Sequence, residues 1–260
     1  MVDMFRESMI VLVHKKTRGI VLSQKKYALE LISDAGFREA KPASTPLEQN
    51  RWFTTAEYDD FVDLRGCNDE LLQDVSIYQR LMGRLFLGQG IFLAAENKAQ
   101  LIAYCDSDWA AYPMTRRSIT GFCIKLGNSL VSWKLKKQST VSCSSNETKY
   151  RSMASTVAEI VWLNGLLKYI CFDQIDPALL FSDSQAAFQI AVNPVFHEQT
   201  KHIEINCHFV REKIREGLIR TQRVRTDEQL VDVMTKALGV QQHEYLVTKL
   251  GVKDLYHPPT

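Results

Sequence analysis

The sequence predicts an α/β domain built on a mixed five-stranded sheet with flanking helices, and three observations predict it. First, three apolar segments follow one another closely from Gln100 onward: Leu101–Cys105, Ser118–Leu126 and Ser129–Lys134. The last two are joined across Gly127-Asn128, a tight-turn pair that reads as a hairpin. Second, a long helix over Glu147–Ile170 carries Tyr150, Met153, Val157, Ile160, Val161 and Leu167 on one apolar stripe. Third, two further short strands, Leu179–Ser182 and Leu218–Val224, alternate with helices over Gln185–Val192, His202–Glu216, Glu228–Leu238 and Gln241–Leu250. Leading antiparallel strands followed by alternating helix and strand give a mixed sheet with helices on its faces.

Local signals justify the boundaries. Ser144 and Glu147 have capping-box spacing at the start of the long helix. Asn193-Pro194 stops the helix after Asp183, and Gly217 ends the next one. Before Gln100 the signals are sparser. Met9–His14 and Ile20–Leu22 read as a hairpin around a Lys15–Gly19 turn. Ser23 can cap a helix over Gln24–Ala35, with Tyr27, Leu31 and Ile32 on its apolar face and Gly36 at its end. A connector with Pro42 and Pro46 and a polar stretch, Arg51–Asp74, precede a helix over Val75–Phe86, which Gly88 and Gly90 break.

The totals narrow the function classes. A chain of 260 residues holds one large domain or two small ones, and 45% hydrophobic with 24% charged residues is ordinary for a globular protein. A net charge of +2 means that any nucleic-acid surface is a local patch. Six cysteines, at 67, 105, 123, 143, 171 and 207, include no C-x-x-C pair and read as reduced, mostly buried thiols. No apolar run reaches the roughly 18 residues of a membrane span, and no targeting peptide is evident. The expectation is a cytoplasmic or nuclear protein with no membrane partner.

Three carboxylates stand where chemistry could gather. Asp106 terminates an apolar strand, Asp183 follows another, and Asp232 lies in a short amphipathic helix. Acids at strand and helix ends from distant parts of a chain are what a divalent-metal site needs. Each also has a plainer reading: Asp183 as a helix N-cap, Asp232 as a solvated helix residue. Asp108, two residues beyond Asp106, can share its strand face. Arg116, Arg117, Lys134, Lys136 and Lys137 cluster near the hairpin's strand ends, with Trp109 and Trp133 interleaved. They read either as a solvated basic face or as phosphate contacts for nucleic acid. His197, His202 and His208 match no zinc spacing.

Ordered motifs from about Gln100 to Gly251 closely resemble the ribonuclease H domain of copia-type retrotransposon Pol polyproteins. They are Tyr104-Cys105-Asp106-Ser107-Asp108-Trp109-Ala110, Arg116-Arg117-Ser118-Ile119-Thr120-Gly121, Ser132-Trp133-Lys134 and Phe181-Ser182-Asp183-Ser184-Gln185-Ala186. Asn193-Pro194-Val195-Phe196-His197, Thr200-Lys201-His202-Ile203 and Gln229-Leu230-Val231-Asp232 complete the series. Gly19–Tyr27, Lys41–Pro46 and Tyr78–Gly83 are similar to the last segment of the family's reverse transcriptase. The resemblance implies a truncated reverse-transcriptase segment over 1–95, a ribonuclease H-like domain over 96–252 and a tail over 253–260. It also implies a helical thumb region after Gly83-Arg84-Leu85, yet Leu85 runs almost directly into Gly90–Ala99, so that piece is expected to be missing. Tyr58-Asp59-Asp60 lacks the intervening residue of a polymerase turn, and no polymerase activity is expected.

The family's site implies four acids around two Mg²⁺ ions about 4 Å apart, which activate water and stabilise the leaving oxygen as the RNA strand of an RNA–DNA hybrid is cut. By motif Asp106, Asp183 and Asp232 match three of the four. The fourth should be the second Glu of a Glu-Ala-Glu-Tyr motif, which here reads Glu147-Thr148-Lys149-Tyr150. Lys149 therefore occupies the ligand position, where a protonated ammonium cannot coordinate metal. Glu147 is the doubtful substitute, since two helical residues differ by about 200° in direction. The implied partners are an RNA–DNA hybrid or other nucleic acid and the other Pol segments of the parent element. Two readings follow: a hydrolase impaired at its metal site, or a non-catalytic nucleic-acid-binding or functionless remnant of a decayed element.

Overall fold

A computed structural model describes residues 12–16, 18–23, 29–30, 33, 45, 58, 61, 89–95, 100–112, 114–170, 175–185 and 204–254. The helices expected over 24–35, 75–86 and 185–192, and the motifs at 193–197 and 200–203, fall wholly or mostly outside those residues.

The five-stranded sheet is formed by β4 (Gln100–Asp108), β5 (Ile119–Leu126), β6 (Ser129–Lys137), β7 (Asp176–Ser182) and β8 (Ile219–Arg223), in the order β6-β5-β4-β7-β8. The pairs β4–β5 and β5–β6 are antiparallel, whereas β4–β7 and β7–β8 are parallel, so the sheet is mixed as expected. Gly127, at φ 56°, supplies the left-handed residue that the β5–β6 turn requires.

Side chains alternate across the sheet and serve two cores. Leu101, Ala103, Cys105, Phe122 and Ile124 pack against α1 (Ser145–Tyr169) and α2 (Glu204–Arg215). Tyr104, Cys123 and Leu130 face the opposite side. They pack against the one-turn helix α3 (Asp232–Thr235), α4 (Val240–Leu250) and the residues that lead into α3. The stripe of α1 is buried as its spacing predicts, with Tyr150, Met153, Val157 and Ile160 wholly inside.

A second sheet joins β1 (Leu12–Lys16), β2 (Gly19–Ser23), β3 (Gln89–Ala94) and β9 (Val252–Asp254) in that order, all antiparallel. The hairpin was legible; β3 and β9 were not. Gly251, at φ 81°, caps α4 and turns the chain back so that β9 can pair with β3. The expected helix over Glu228–Leu238 is likewise different. It is a 3-10 turn at Thr226–Glu228 followed by α3. The break arises because the Gln229 side chain is buried and donates from Nε2 to the Cys105 carbonyl (3.1 Å), drawing the chain onto the sheet.

Cys105, Cys123 and Cys207 are buried and Cys143 is exposed, and none of the four is in a disulfide among the described residues. Among the described residues no helix is long and apolar enough to cross a membrane.

Candidate active site

The strand ends bring Asp106, Asp183 and Asp232 into one ionic cluster. Asp106 sits near the carboxyl end of β4, with its side chain inaccessible to solvent. Asp183 follows β7 directly, and that strand runs parallel beside β4. Asp232 opens α3, which Gln229 and Gly121 hold against β4 and β5. A Cβ at Gly121 would lie 2.6 Å from Val231 Cγ1 and 2.9 Å from Thr235 Cγ2, so only glycine allows this approach. The start of α1 is tied to the same region. Ser152 Oγ donates to the carbonyl of Asp106 (2.8 Å), and Thr148 Oγ1 bonds Ser118 Oγ (2.8 Å).

Two lysines hold the acids together. Lys149 Nζ lies 2.6 Å from Asp183 Oδ1 and 3.4 Å from Asp106 Oδ1. Lys236 Nζ lies 2.9 Å from Asp232 Oδ2 and 3.3 Å from Asp106 Oδ2. Asp106 is thus flanked by an ammonium on each side, while neither of its oxygens makes a hydrogen bond. Burial alone would lower both lysines. For Lys149 the hydrogen bond to Asp183 and the two carboxylate charges outweigh it, and for Lys236 the charge of Asp106 and the bond to Asp232 do. Both ammoniums therefore titrate above the ordinary lysine range. Asp232 moves the other way for an ion-paired acid: burial pushes it up to about 7, and the neighbouring Asp106 charge adds to this, against the pull of Lys236. Burial likewise raises Asp108, against the pull of Lys236.

The buried carboxylate of Asp106, ion-paired at 3.3–3.4 Å but accepting no hydrogen bond, is the one feature that suits a divalent cation. The rest of the cluster does not. Three carboxylates, one of them Asp232 with its raised pKa, meet two ammoniums, leaving at most one net negative charge where a pair of divalent ions needs several. Among the described residues no group of three His, Cys, Asp or Glu is disposed to hold a metal ion. The residues as they stand do not fit the two-metal centre implied by the resemblance.

Glu147 lies elsewhere. Its backbone N–H donates to Ser144 Oγ (3.2 Å), its Oε2 accepts from Cys143 N (2.8 Å), and its Oε1 pairs with Arg151 (2.6 Å). It caps the helix, and the acids of the cluster are not among its partners. The basic residues divide by strand alternation. Lys134 and Lys136 share the face toward α1 and line a cleft between β6 and α1, and Lys137, at the end of the strand, lies at its edge with its Nζ over the Tyr112 ring. Trp133, paired with Cys123 in register, belongs to the opposite face and is half exposed. Arg116 and Arg117 are exposed in the β4–β5 loop, where Arg116 has φ 52°. Trp109 Nε1 donates to the Ser142 carbonyl (3.1 Å), which fixes the segment before α1.

Sequence reasoning missed Lys236 and Arg151. Lys236 stands four residues after Asp232, the spacing of a helical ion pair. Such pairs are usually solvated, and nothing local showed that α3 would be pressed onto the sheet. Arg151 stands four residues after Glu147, and the same spacing was available there.

A mixed sheet with acids from β4, β7 and α3 converging at its strand ends defines a ribonuclease H-like α/β domain. The chain's homologues are retrovirus-related Pol polyproteins of copia-type transposons. It is 31% identical over 265 residues to the Pol polyprotein from transposon RE2 of Arabidopsis thaliana, an alignment covering 90% of this chain and 18% of that protein. The chain thus spans about one fifth of that relative's length. It is also 37% identical over 175 residues to an uncharacterized mitochondrial protein of Arabidopsis thaliana, covering 55% of this chain and 72% of that one. No family model matches. Among solved structures, a compost-derived ribonuclease H1 in complex with an RNA/DNA hybrid aligns at 10% identity and a TM-score of 0.37, over 50% of this chain and 88% of its own.

Proposed function

We propose that this chain is a ribonuclease H-type unit of a retroelement Pol protein that engages RNA–DNA hybrids but has its hydrolytic centre held shut by Lys149. We take that unit to span 96–252, after a reverse-transcriptase-derived segment over 1–95 and before a tail over 253–260, with other Pol segments as partners in the parent element. One observation carries the reading: the Lys149 ammonium bridges Asp183 and Asp106 at 2.6 and 3.4 Å. A cation fixed between two acids neutralises the charge that would attract Mg²⁺ and occupies the space between them. Asp106, Asp183 and Asp232 remain the acids of the cleavage site by descent, and Mg²⁺ remains its cofactor in an opened form.

Cleavage of a labelled RNA–DNA hybrid in Mg²⁺ tests this. The parent chain should cut little, and Lys149→Glu should gain at least about tenfold, equivalent to about 1.4 kcal/mol in barrier. Robust Mg²⁺-dependent cleavage by the unmodified chain would sink the role given to Lys149. The second reading, a non-catalytic remnant that binds nucleic acid or does nothing, is favoured by the same lysine bridge. It stands if Lys149→Glu folds normally and still fails to cut.

A further inference from the structure

A helix that rests on a sheet is normally apolar toward the sheet and polar toward solvent. The second half of α1 departs from this. Val157, Ile160, Leu163 and Leu167 fill the core as expected. On the opposite face Ala158, Trp162, Gly165, Leu166 and Tyr169 are all exposed, Ile170 lies beside them, and Lys168 is the one exposed charge in that half. Trp162 is 57% and Tyr169 86% accessible, so both rings stand clear of the fold. The first half presents Asn146, Arg151 and Ser155 on its outer side in the usual way. A single exposed apolar residue is ordinary, but a continuous stripe of them marks a contact surface.

The stripe has an internal order. Ala158, Trp162, Gly165 and Tyr169 recur at steps of four, three and four, the seam of a helix that packs lengthwise on another helix. Small and large side chains alternate along it. Gly165 makes a notch, because a Cβ built there meets nothing within 4 Å. Trp162 stands about one turn before the notch and Tyr169 about one turn after it. Glycine in a helix interior costs about 1 kcal/mol relative to alanine. Among the described residues neither a close contact nor a left-handed backbone requires it at this position.

We propose that this stripe is the contact by which two copies of the chain pair, helix against helix and antiparallel, with Trp162 of each copy seated in the Gly165 notch of the other. Side-chain size decides the orientation. A parallel pair sets Trp162 against Trp162 and Gly165 against Gly165, one layer overfilled and the next empty. The antiparallel pair sets Trp162 against Gly165 and Tyr169 against Ala158, so each layer holds one large and one small side chain. The arrangement is self-complementary about a two-fold axis, as a pair of identical chains requires. With roughly 150–250 Å² for a full aromatic side chain, the exposed parts of Trp162, Leu166, Tyr169 and Ile170 amount to about 500 Å² per copy. Two copies then bury about 1,000 Å², the lower limit of a specific interface, so the pair is reversible and dissociates in the micromolar range. Trp162 lies roughly 20 Å along the helix from Lys149, and the contact stands away from the acid cluster.

Sedimentation velocity on the full chain tests the pairing, in reducing buffer without metal or nucleic acid, so that the result is independent of the acid cluster. A concentration series through the micromolar range should show a reversible monomer–dimer equilibrium. Gly165→Leu fills the notch with a side chain for which the fold itself has room. It should weaken the dimer roughly tenfold, while the thermal midpoint of the monomer holds or rises. A merely adhesive apolar patch would do the reverse, because the variant adds apolar surface; unchanged or stronger association in Gly165→Leu overturns the proposal. Trp162→Ala should abolish pairing, and Trp162→Ala with Gly165→Trp, which exchanges the large and small positions, should restore it. Failure of the exchange to restore pairing overturns the antiparallel assignment. Ile205→Gln, at an apolar residue of α2 that is 85% accessible, should leave the equilibrium unchanged, and an equal loss there overturns the assignment to α1. A chain that stays monomeric throughout the series overturns the dimer outright.

Discussion

The two flanks of α1 solve opposite electrostatic problems two residues apart. Lys149 and Arg151 differ by about 200° around the helix, so one reaches over the strand ends and the other over β6. On the Lys149 flank, three carboxylates and two ammoniums neutralise one another in a largely buried cluster. On the Arg151 flank, cations line an open cleft without acids. A closed cluster has little to gain from an external ion; an uncompensated row gains from every anion that approaches. The difference makes the two flanks electrostatically independent: one is closed and largely self-neutralised, the other open and cationic.

The contrast is broken most severely at Lys236. Its ammonium is shared by Asp106, which is wholly buried, and Asp232, which is nearly so. Lys236→Met leaves Asp232 without its ion-pair partner and Asp106 with Lys149 alone. Removing one partner of a buried pair costs about 3 kcal/mol, read as a lowered urea midpoint at unchanged slope. The control on the open flank, Lys134→Met, should stay within about 0.5 kcal/mol. Equal losses at the two positions would remove the distinction between closed and open flanks.

A smaller effect sharpens how the closed flank is built. Gly121 lets α3 press onto β5, and Gly121→Ala places a methyl group into Val231 and Thr235. Overpacking of this kind costs about 2 kcal/mol. Because α3 carries Asp232 and Lys236, the substitution should also lower the cleavage gained by Lys149→Glu while leaving hybrid affinity unchanged. A stable Gly121→Ala protein would mean that α3 stands off the sheet.

Legibility followed the range of the interactions involved. The strands β4 to β8 and the helix α1 carry their own periodicity and turn residues, so local patterns located them. The strand β3 contains Gly90 and follows Gly88, which read as breakers, and it exists because β2 and β9 pair with it on either side. Three residues of β9 carry no period at all. At the site, motif resemblance pointed to Asp106, Asp183 and Asp232, and to Lys149 at the unexpected position. The resemblance could not show that Lys236 would meet Asp106, because that contact depends on the side chain of Gln229 pulling a would-be helix apart. The lysines of β6 were legible as a basic run. Strand alternation then separates Lys134 and Lys136 from Trp133, a division that the run alone does not display.

The smallest expected effect concerns Glu147, which shares α1 with both flanks and belongs to neither. Its carboxylate accepts the Cys143 N–H and pairs with Arg151, while Ser144 caps its backbone. If that is its whole role, Glu147→Gln and Ser144→Ala should each cost about 1 kcal/mol of stability. In the Lys149→Glu background both should leave Mg²⁺-dependent cleavage at the level of that single variant, measured below the shifted midpoint. A metal ligand would behave differently: Glu147→Gln would abolish the cleavage while Ser144→Ala would not. Glutamine preserves the size of the side chain and one acceptor oxygen, so the pair separates loss of charge at Glu147 from fraying of the helix start. An outcome with cleavage lost only in Glu147→Gln would require the first turn of α1 to rotate when Lys149 is replaced, and would move the boundary between the two flanks by half a turn.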